Sequence, residues 1–115
     1  MLKRKQTINA KTFTEVISKG KSYGSKTFFV KVLKNNEGHA RFGIGVSKKT
    51  TKSPVKKNYY KRVLRHILKD MISSNIFNCS CDVVIIIQPD AAEKSFEELK
   101  KDAEKLLLQV NKSFN

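Results

Sequence analysis

The chain repeats its apolar residues at intervals of three and four in three places, which predicts three helices packed through one face. The first is predicted over residues 9–20, where Asn9 suits the N-cap and Gly20 suits a C-terminal stop in the left-handed region. Its apolar face is formed by Phe13, Val16 and Ile17. A short amphipathic helix therefore opens the fold.

The second helix is predicted from Pro54 to about Ser73, with Ser53 as its N-cap, because proline is well tolerated in the first turn. Its apolar stripe is Tyr60, Val63, Leu64, Ile67, Leu68 and Met71. A capping box, Ser95-Phe-Glu-Glu98, opens the third helix. The apolar stripe of that helix is Phe96, Leu99, Ala103, Leu106, Leu107 and Val110.

Aromatic and β-branched runs predict strands at residues 27–33 and 41–47, separated by the turn residues 35–38. This pair is expected to form an antiparallel hairpin. The continuous β-branched run at 82–89 predicts a strand covered on both faces, and hence a central one. Helices packed on one sheet make an α+β sandwich, and the second helix becomes a crossover with a free polar surface.

Length and composition favour one domain over residues 1–115, since 39% of the residues are hydrophobic and no linker or repeat interrupts the chain. No apolar run reaches the ~20 residues of a membrane span, and the basic N-terminus lacks the apolar core of a secretory signal. Cys79 and Cys81 are poorly placed for a mutual disulfide and are expected to be reduced thiols in a cytoplasmic protein.

The charge is strongly positive, at +14, and it is unevenly distributed. Residues 48–69 hold nine Lys or Arg and no acid, whereas acids and lysines are nearly balanced after Asp90. Solvated helix faces normally mix signs, because like charges at i,i+4 are unfavourable. A polyanion is the expected partner, and nucleic acid fits better than a membrane, since the apolar stripes are needed for the core.

Most of these cations fall opposite the apolar stripe of the second helix, at about 100° per residue. We therefore predict an RNA-binding set comprising Lys48, Lys49, Lys52, Lys56, Lys57, Asn58, Tyr59, Lys61, Arg62, Arg65 and Lys69. His66 also lies on this face, either as an RNA contact or as a solvated side chain. Arg62 and Arg65 suit bidentate phosphate binding, and Asn58 suits a phosphate, a base edge or a neighbouring loop.

Catalytic chemistry is hard to assemble from the sequence. It has no HExxH motif, carboxylate pair or nucleophile–base set, so neither a catalytic residue nor a metal site is expected in the protein. The alternating charges near the C-terminus are typical of a solvated helix. Phe13, Phe28 or Phe29 could stack on bases, although core packing is favoured for any one of them.

Two motifs resemble the bacterial ribonuclease P protein family. The first is Arg41-Phe-Gly-Ile-Gly-Val-Ser-Lys-Lys49, which is similar to the family's strand ending in Val-Ser-Lys-Lys. The second is Val55-Lys-Lys-Asn-Tyr-Tyr-Lys-Arg-Val-Leu-Arg65, which is similar to the family's helix with an Arg-Asn-Arg signature. The first helix and the last strand and helix are also similar to the family's. Lys57 and Tyr59 stand at the two signature arginines, which retains one charge and loses the other.

The resemblance implies a two-layer α/β sandwich with a four-stranded mixed sheet, three helices and a left-handed βαβ crossover. It also implies a protein that binds the catalytic RNA, usually one copy per RNA, while that RNA cleaves precursor tRNA with Mg²⁺. The family contacts the 5′ leader in a cleft between the first helix and the sheet. The matching residues here are Phe13, Ile17, Phe28, Lys31 and Ser47.

Two other functions stay open on this sequence. A structural rRNA-binding protein has the same small size and strong positive charge. A stand-alone nuclease is disfavoured because no catalytic set is present.

Overall fold

The computed structural model describes residues 6–114 and contains three helices and a four-stranded mixed sheet, as predicted. A 3₁₀ turn, Pro89–Glu93, precedes the last helix. The elements in chain order are α1 (Ala10–Lys19), β1 (Lys21–Gly24), β2 (Phe28–Lys34), β3 (Arg41–Val46), α2 (Pro54–Ser73), β4 (Cys81–Ile87) and α3 (Phe96–Phe114). None of the described helices has the length and apolar character needed to cross a bilayer.

The strand order is β1-β2-β4-β3, so the predicted hairpin of β2 with β3 is wrong. Strand β4 lies between them, antiparallel to β2 and parallel to β3. The turn after β2 bridges the start of β4, because Asn35 N donates to Ser80 O at 3.2 Å and Ser80 Oγ donates to Asn35 Oδ1 at 2.7 Å. The β-branched run of β4 is thereby central, as predicted, and α2 is the crossover between two parallel neighbours.

The two faces of the sheet are covered unequally. Val83, Ile85 and Ile87 of β4 join the main core beneath α2 and α3, which gives the predicted two-layer sandwich. Val84 points the other way, where the short helix α1 lies over β2 and β4. Val16 of α1 is fully buried there, while Phe29, Leu33 and Ile86 on the same side of the sheet are only partly buried.

The predicted N-terminal caps of α1 and α3 are present, but Gly20 ends α1 for a different reason from the one predicted. Asn9 Oδ1 accepts from Thr12 N at 2.8 Å, and Ser95 and Glu98 form the reciprocal capping box. Gly20 is extended rather than left-handed. A Cβ at Gly20 would lie 2.5 Å from Val16 O at the end of α1 itself and 3.1 Å from Val32 N and O of β2, so the glycine is required where the chain turns from α1 onto the sheet.

Cys79 and Cys81 are free and buried at the start of β4. Burial raises the pKa of the Cys81 thiol, because the thiolate would lose its hydration, and the neighbouring Cys79 adds to the effect. This thiol is therefore protonated at neutral pH and unreactive in the folded protein.

Candidate nucleic-acid interface

The loop before α2 is held against the end of β4. Thr50 Oγ1 donates to Ile87 O at 2.9 Å, and Thr50 N donates to Ser47 O at 3.0 Å. At the end of the loop, Ser53 Oγ accepts from Lys56 N and starts the helix. These bonds fix the loop backbone while its three lysines, Lys48, Lys49 and Lys52, are exposed.

Helix α2 sorts its residues as the periodicity predicted. Leu64, Ile67, Leu68 and Met71 are buried in the core. The exposed members of the predicted RNA-binding set on this helix are Lys56, Asn58, Tyr59, Arg62 and Lys69. Lys57, Lys61 and Arg65 are partly buried and lie on a flank of the helix, whereas Lys61 and Arg65 were predicted to lie opposite the apolar stripe.

Like charges follow one another along this helix. Lys57, Lys61, Arg65 and Lys69 are spaced four residues apart, so each is a turn from the next and the spacing is unfavourable for the isolated helix. Within residues 6–114, the ion pairs join Arg41 to Glu37 and Asp82 and His66 to Asp70. None of these pairs involves a Lys or Arg of residues 48–69. We call these nine Lys and Arg side chains, together with Asn58 and Tyr59, the cationic face.

His66 is exposed beside this face and has its own neighbours. Its Nε2 lies 3.7 Å from the Asp70 carboxylate, and its ring centroid lies 5.8 Å from that of Phe96. The edge of the cationic face near α3 is thus bounded by the one acid of α2.

A cleft lies between α1 and the open part of the sheet. Phe13 packs against the glycines of β3, since a Cβ at Gly43 would lie 2.8 Å from Phe13 Cδ2 and one at Gly45 would lie 3.7 Å from Phe13 Cζ. Ile17, one turn along, is 36% exposed. The glycines therefore let the Phe13 ring lie against the backbone of β3, and Ser47 follows Gly45 by two residues along the chain.

Phe28 does not belong to this cleft, and its assignment to it was wrong. It is 2% exposed and packs in the main core, beside Tyr60, Val63 and Leu64. Phe29 points to the α1 side instead and is partly buried, with Lys31 Nζ 5.9 Å from its ring centroid. Adjacent strand residues face opposite ways, but the sequence does not say which face α1 covers.

Lys31 lies at the far end of α1, where its Nζ donates to Gly20 O at 3.5 Å. Arg65 joins the two surfaces at the other end, because it borders a groove with Ile8, Phe13 and Gly43. The cationic face and the cleft are consequently neighbours around the outer edge of β3, where Ile8 N donates to Phe42 O at 3.2 Å.

A family comparison decides what kind of protein carries this arrangement. The family model described as Ribonuclease P matches residues 1–111. The chain belongs to the ribonuclease P protein family. Its relatives include the ribonuclease P protein component of Mesoplasma florum, 33% identical over 87% of this chain and 89% of that protein. The Bacillus mycoides component is 40% identical over 77% of this chain and 76% of the other.

Solved structures of the family agree with the fold. The ribonuclease P protein of Staphylococcus aureus superposes with a TM-score of 0.79 at 27% identity, covering 98% of this chain and all of that one. The Thermotoga maritima protein gives a TM-score of 0.79 over 90% of this chain and 96% of its own, at 24% identity, which supports the fold alone.

Proposed function

We propose that this chain is the protein subunit of ribonuclease P and that the cationic face binds the catalytic RNA. The observation that carries this proposal is the row of like charges on α2 and its preceding loop, in a chain of this family. Repulsion within the row is relieved when phosphates replace the missing carboxylates and release counterions.

Each residue class has its own part in this proposal. Arg62, at the crest of α2, presents a planar fork to a phosphate, and Arg65 does so from the flank beside β3. The lysines act as point charges along the backbone of the RNA. Asn58 lies between them and supplies an uncharged hydrogen bond.

The cleft takes the single-stranded 5′ leader of precursor tRNA. Phe13 and Phe29 offer aromatic surface to unpaired bases, Ile17 offers apolar contact, and Lys31 and Ser47 offer charge and a hydroxyl at the borders. Because Arg65 borders both surfaces, the leader and the catalytic RNA would be held next to each other. This proximity would favour removal of the leader to give the mature 5′ end.

Cleavage is assigned to the RNA, with the Mg²⁺ that the RNA-containing holoenzyme requires. Across residues 6–114, no three His, Cys, Asp or Glu side chains are grouped to hold a metal ion. We further propose one protein per RNA and a cytoplasmic location.

The direct test is cleavage of precursor tRNA by the cognate catalytic RNA at low Mg²⁺, with and without the protein. We expect cleavage to rise on adding the protein, because it supplies positive charge that the RNA otherwise takes from cations. No stimulation would contradict the proposal and favour a structural rRNA-binding protein. Cleavage without added RNA would favour a stand-alone nuclease.

A further inference from the structure

Two exposed apolar side chains, those of Tyr59 and Val55, interrupt the row of charges on the α3 side of the cationic face. Tyr59 is 51% exposed and Val55, one turn before it, is 78% exposed. They are two of the four large hydrophobic side chains exposed in residues 6–114. An exposed aromatic ring on a helix that already fills its core stripe is not needed for folding, since Tyr60 and Val63 supply the packing there.

The ring of Tyr59 is held in place by its neighbour. Its centroid lies 5.5 Å from that of Tyr60, with 65° between the planes, an edge-on arrangement. Tyr60 is itself partly buried against the core, so it acts as a fixed support. One side chain is thus presented to solvent with part of its conformational freedom already removed.

The charged neighbours of Tyr59 indicate which kind of ligand binds at Tyr59 and Val55. Lys56 precedes Tyr59 by three residues and Arg62 follows it by three, so cations lie a turn away on either side. A nucleotide has both parts that such a surface accepts, an anionic phosphate and a flat apolar base. An apolar partner protein would instead have to desolvate these cations.

We propose that Tyr59, with Val55 beside it, stacks on an unpaired base of the RNA whose phosphates bind the cationic face. The inference rests on the proposed function, because it assumes that RNA covers α2. It goes beyond that function by assigning a base contact to a face otherwise made of backbone contacts. A single-stranded or bulged nucleotide is the ligand, since a base inside a duplex has no free face.

Salt dependence separates stacking from phosphate binding. Tyr59→Leu should weaken binding of the cognate catalytic RNA about tenfold, which lies within the range of one base stack, while the slope of log affinity against log salt stays unchanged. Tyr59→Phe should bind like the parent chain. A loss on Tyr59→Phe equal to that on Tyr59→Leu would indicate a hydroxyl–phosphate hydrogen bond and overturn the proposal. A smaller slope in either variant would mean that phosphate contacts of the neighbouring cations had been lost, and it would also overturn the proposal.

A spectroscopic readout is available because the chain contains no tryptophan. In Tyr59→Trp, stacking should quench the indole fluorescence when RNA is added at the concentration where the parent chain binds. Leu108→Trp is the control, since Leu108 is 43% exposed on α3, outside the cationic face. Binding with equal quenching in both variants, or with none at position 59, overturns the stacking proposal and leaves the proposed function standing. Absence of binding by the parent chain overturns both.

Discussion

Helices α2 and α3 have 20 and 19 residues and both lie on the main-core face of the sheet, yet their polar sides differ in charge. Helix α2 has six Lys or Arg and one acid, Asp70. Helix α3 has four lysines and four acids, with opposite signs three or four residues apart. Both helices need an apolar stripe to pack in the core. The charge on the free side of each helix is not set by the core and instead reflects what that side contacts.

The largest effect is expected where the two helices are alike. Leu64→Ala in α2 and Leu107→Ala in α3 each remove a side chain that is 1% exposed, so each should lower the free energy of unfolding by about 2–5 kcal/mol. Urea denaturation followed by circular dichroism measures this. A cost several-fold smaller at Leu64 would contradict equal roles in the core.

A smaller effect is expected from giving α2 the charge pattern of α3. Asn58→Glu places a carboxylate one turn before Arg62, which should stabilise the folded protein by about 0.3–0.5 kcal/mol. The same change should weaken RNA affinity roughly tenfold by repelling phosphates. Asn58→Gln is the uncharged control and should change neither quantity much. Unchanged RNA affinity in Asn58→Glu would place the RNA elsewhere.

The smallest effect concerns the helix starts. Backbone and hydroxyl hydrogen bonds from Ser95 lower the pKa of Glu98, so this carboxylate stabilises α3 above its ordinary pKa. That contribution is lost as pH falls through the lowered value. The protection of amides at the start of α3, relative to their intrinsic exchange rate at each pH, should therefore fall in acid, whereas the first turn of α2 contains no acid. In Glu98→Gln, the protection of the α3 amides should depend less on pH. An equally strong pH dependence in that variant would mean that another group causes it.

Much of the fold follows from periodicity, because the apolar stripes of α2 and α3 and the doubly covered β4 leave few ways to bury them. The order of strands does not, since β2 and β3 are joined by a short turn that suits a hairpin. The bonds of Asn35 and Ser80 that carry this turn past β4 join residues 45 apart in the sequence. Strand β1 was not predicted either, because it is short and largely exposed.

The candidate site also has one part that could be predicted from the sequence and one part that could not. Charge and helical spacing were enough to predict that cations cover the free side of α2, but not that Lys61 and Arg65 are partly buried on its flank. The cleft needed the packing of α1, which decides between Phe28 and Phe29. The sequence also does not say which cations are already paired within the protein. Arg41 is one of these, because it forms two 2.7 Å hydrogen bonds to the buried Asp82 and is already neutralised.

The most direct test of the central claim compares two double variants with the same loss of charge. Arg62→Ala with Arg65→Ala alters the cationic face, and Lys101→Ala with Lys105→Ala removes two exposed cations from α3. The affinity for the cognate catalytic RNA is measured across a salt series. The first variant should bind more weakly and lose about two from the salt slope, while the second should match the parent chain. Equal losses in both variants, or none in the first, would contradict the assignment of α2 as the RNA-binding helix.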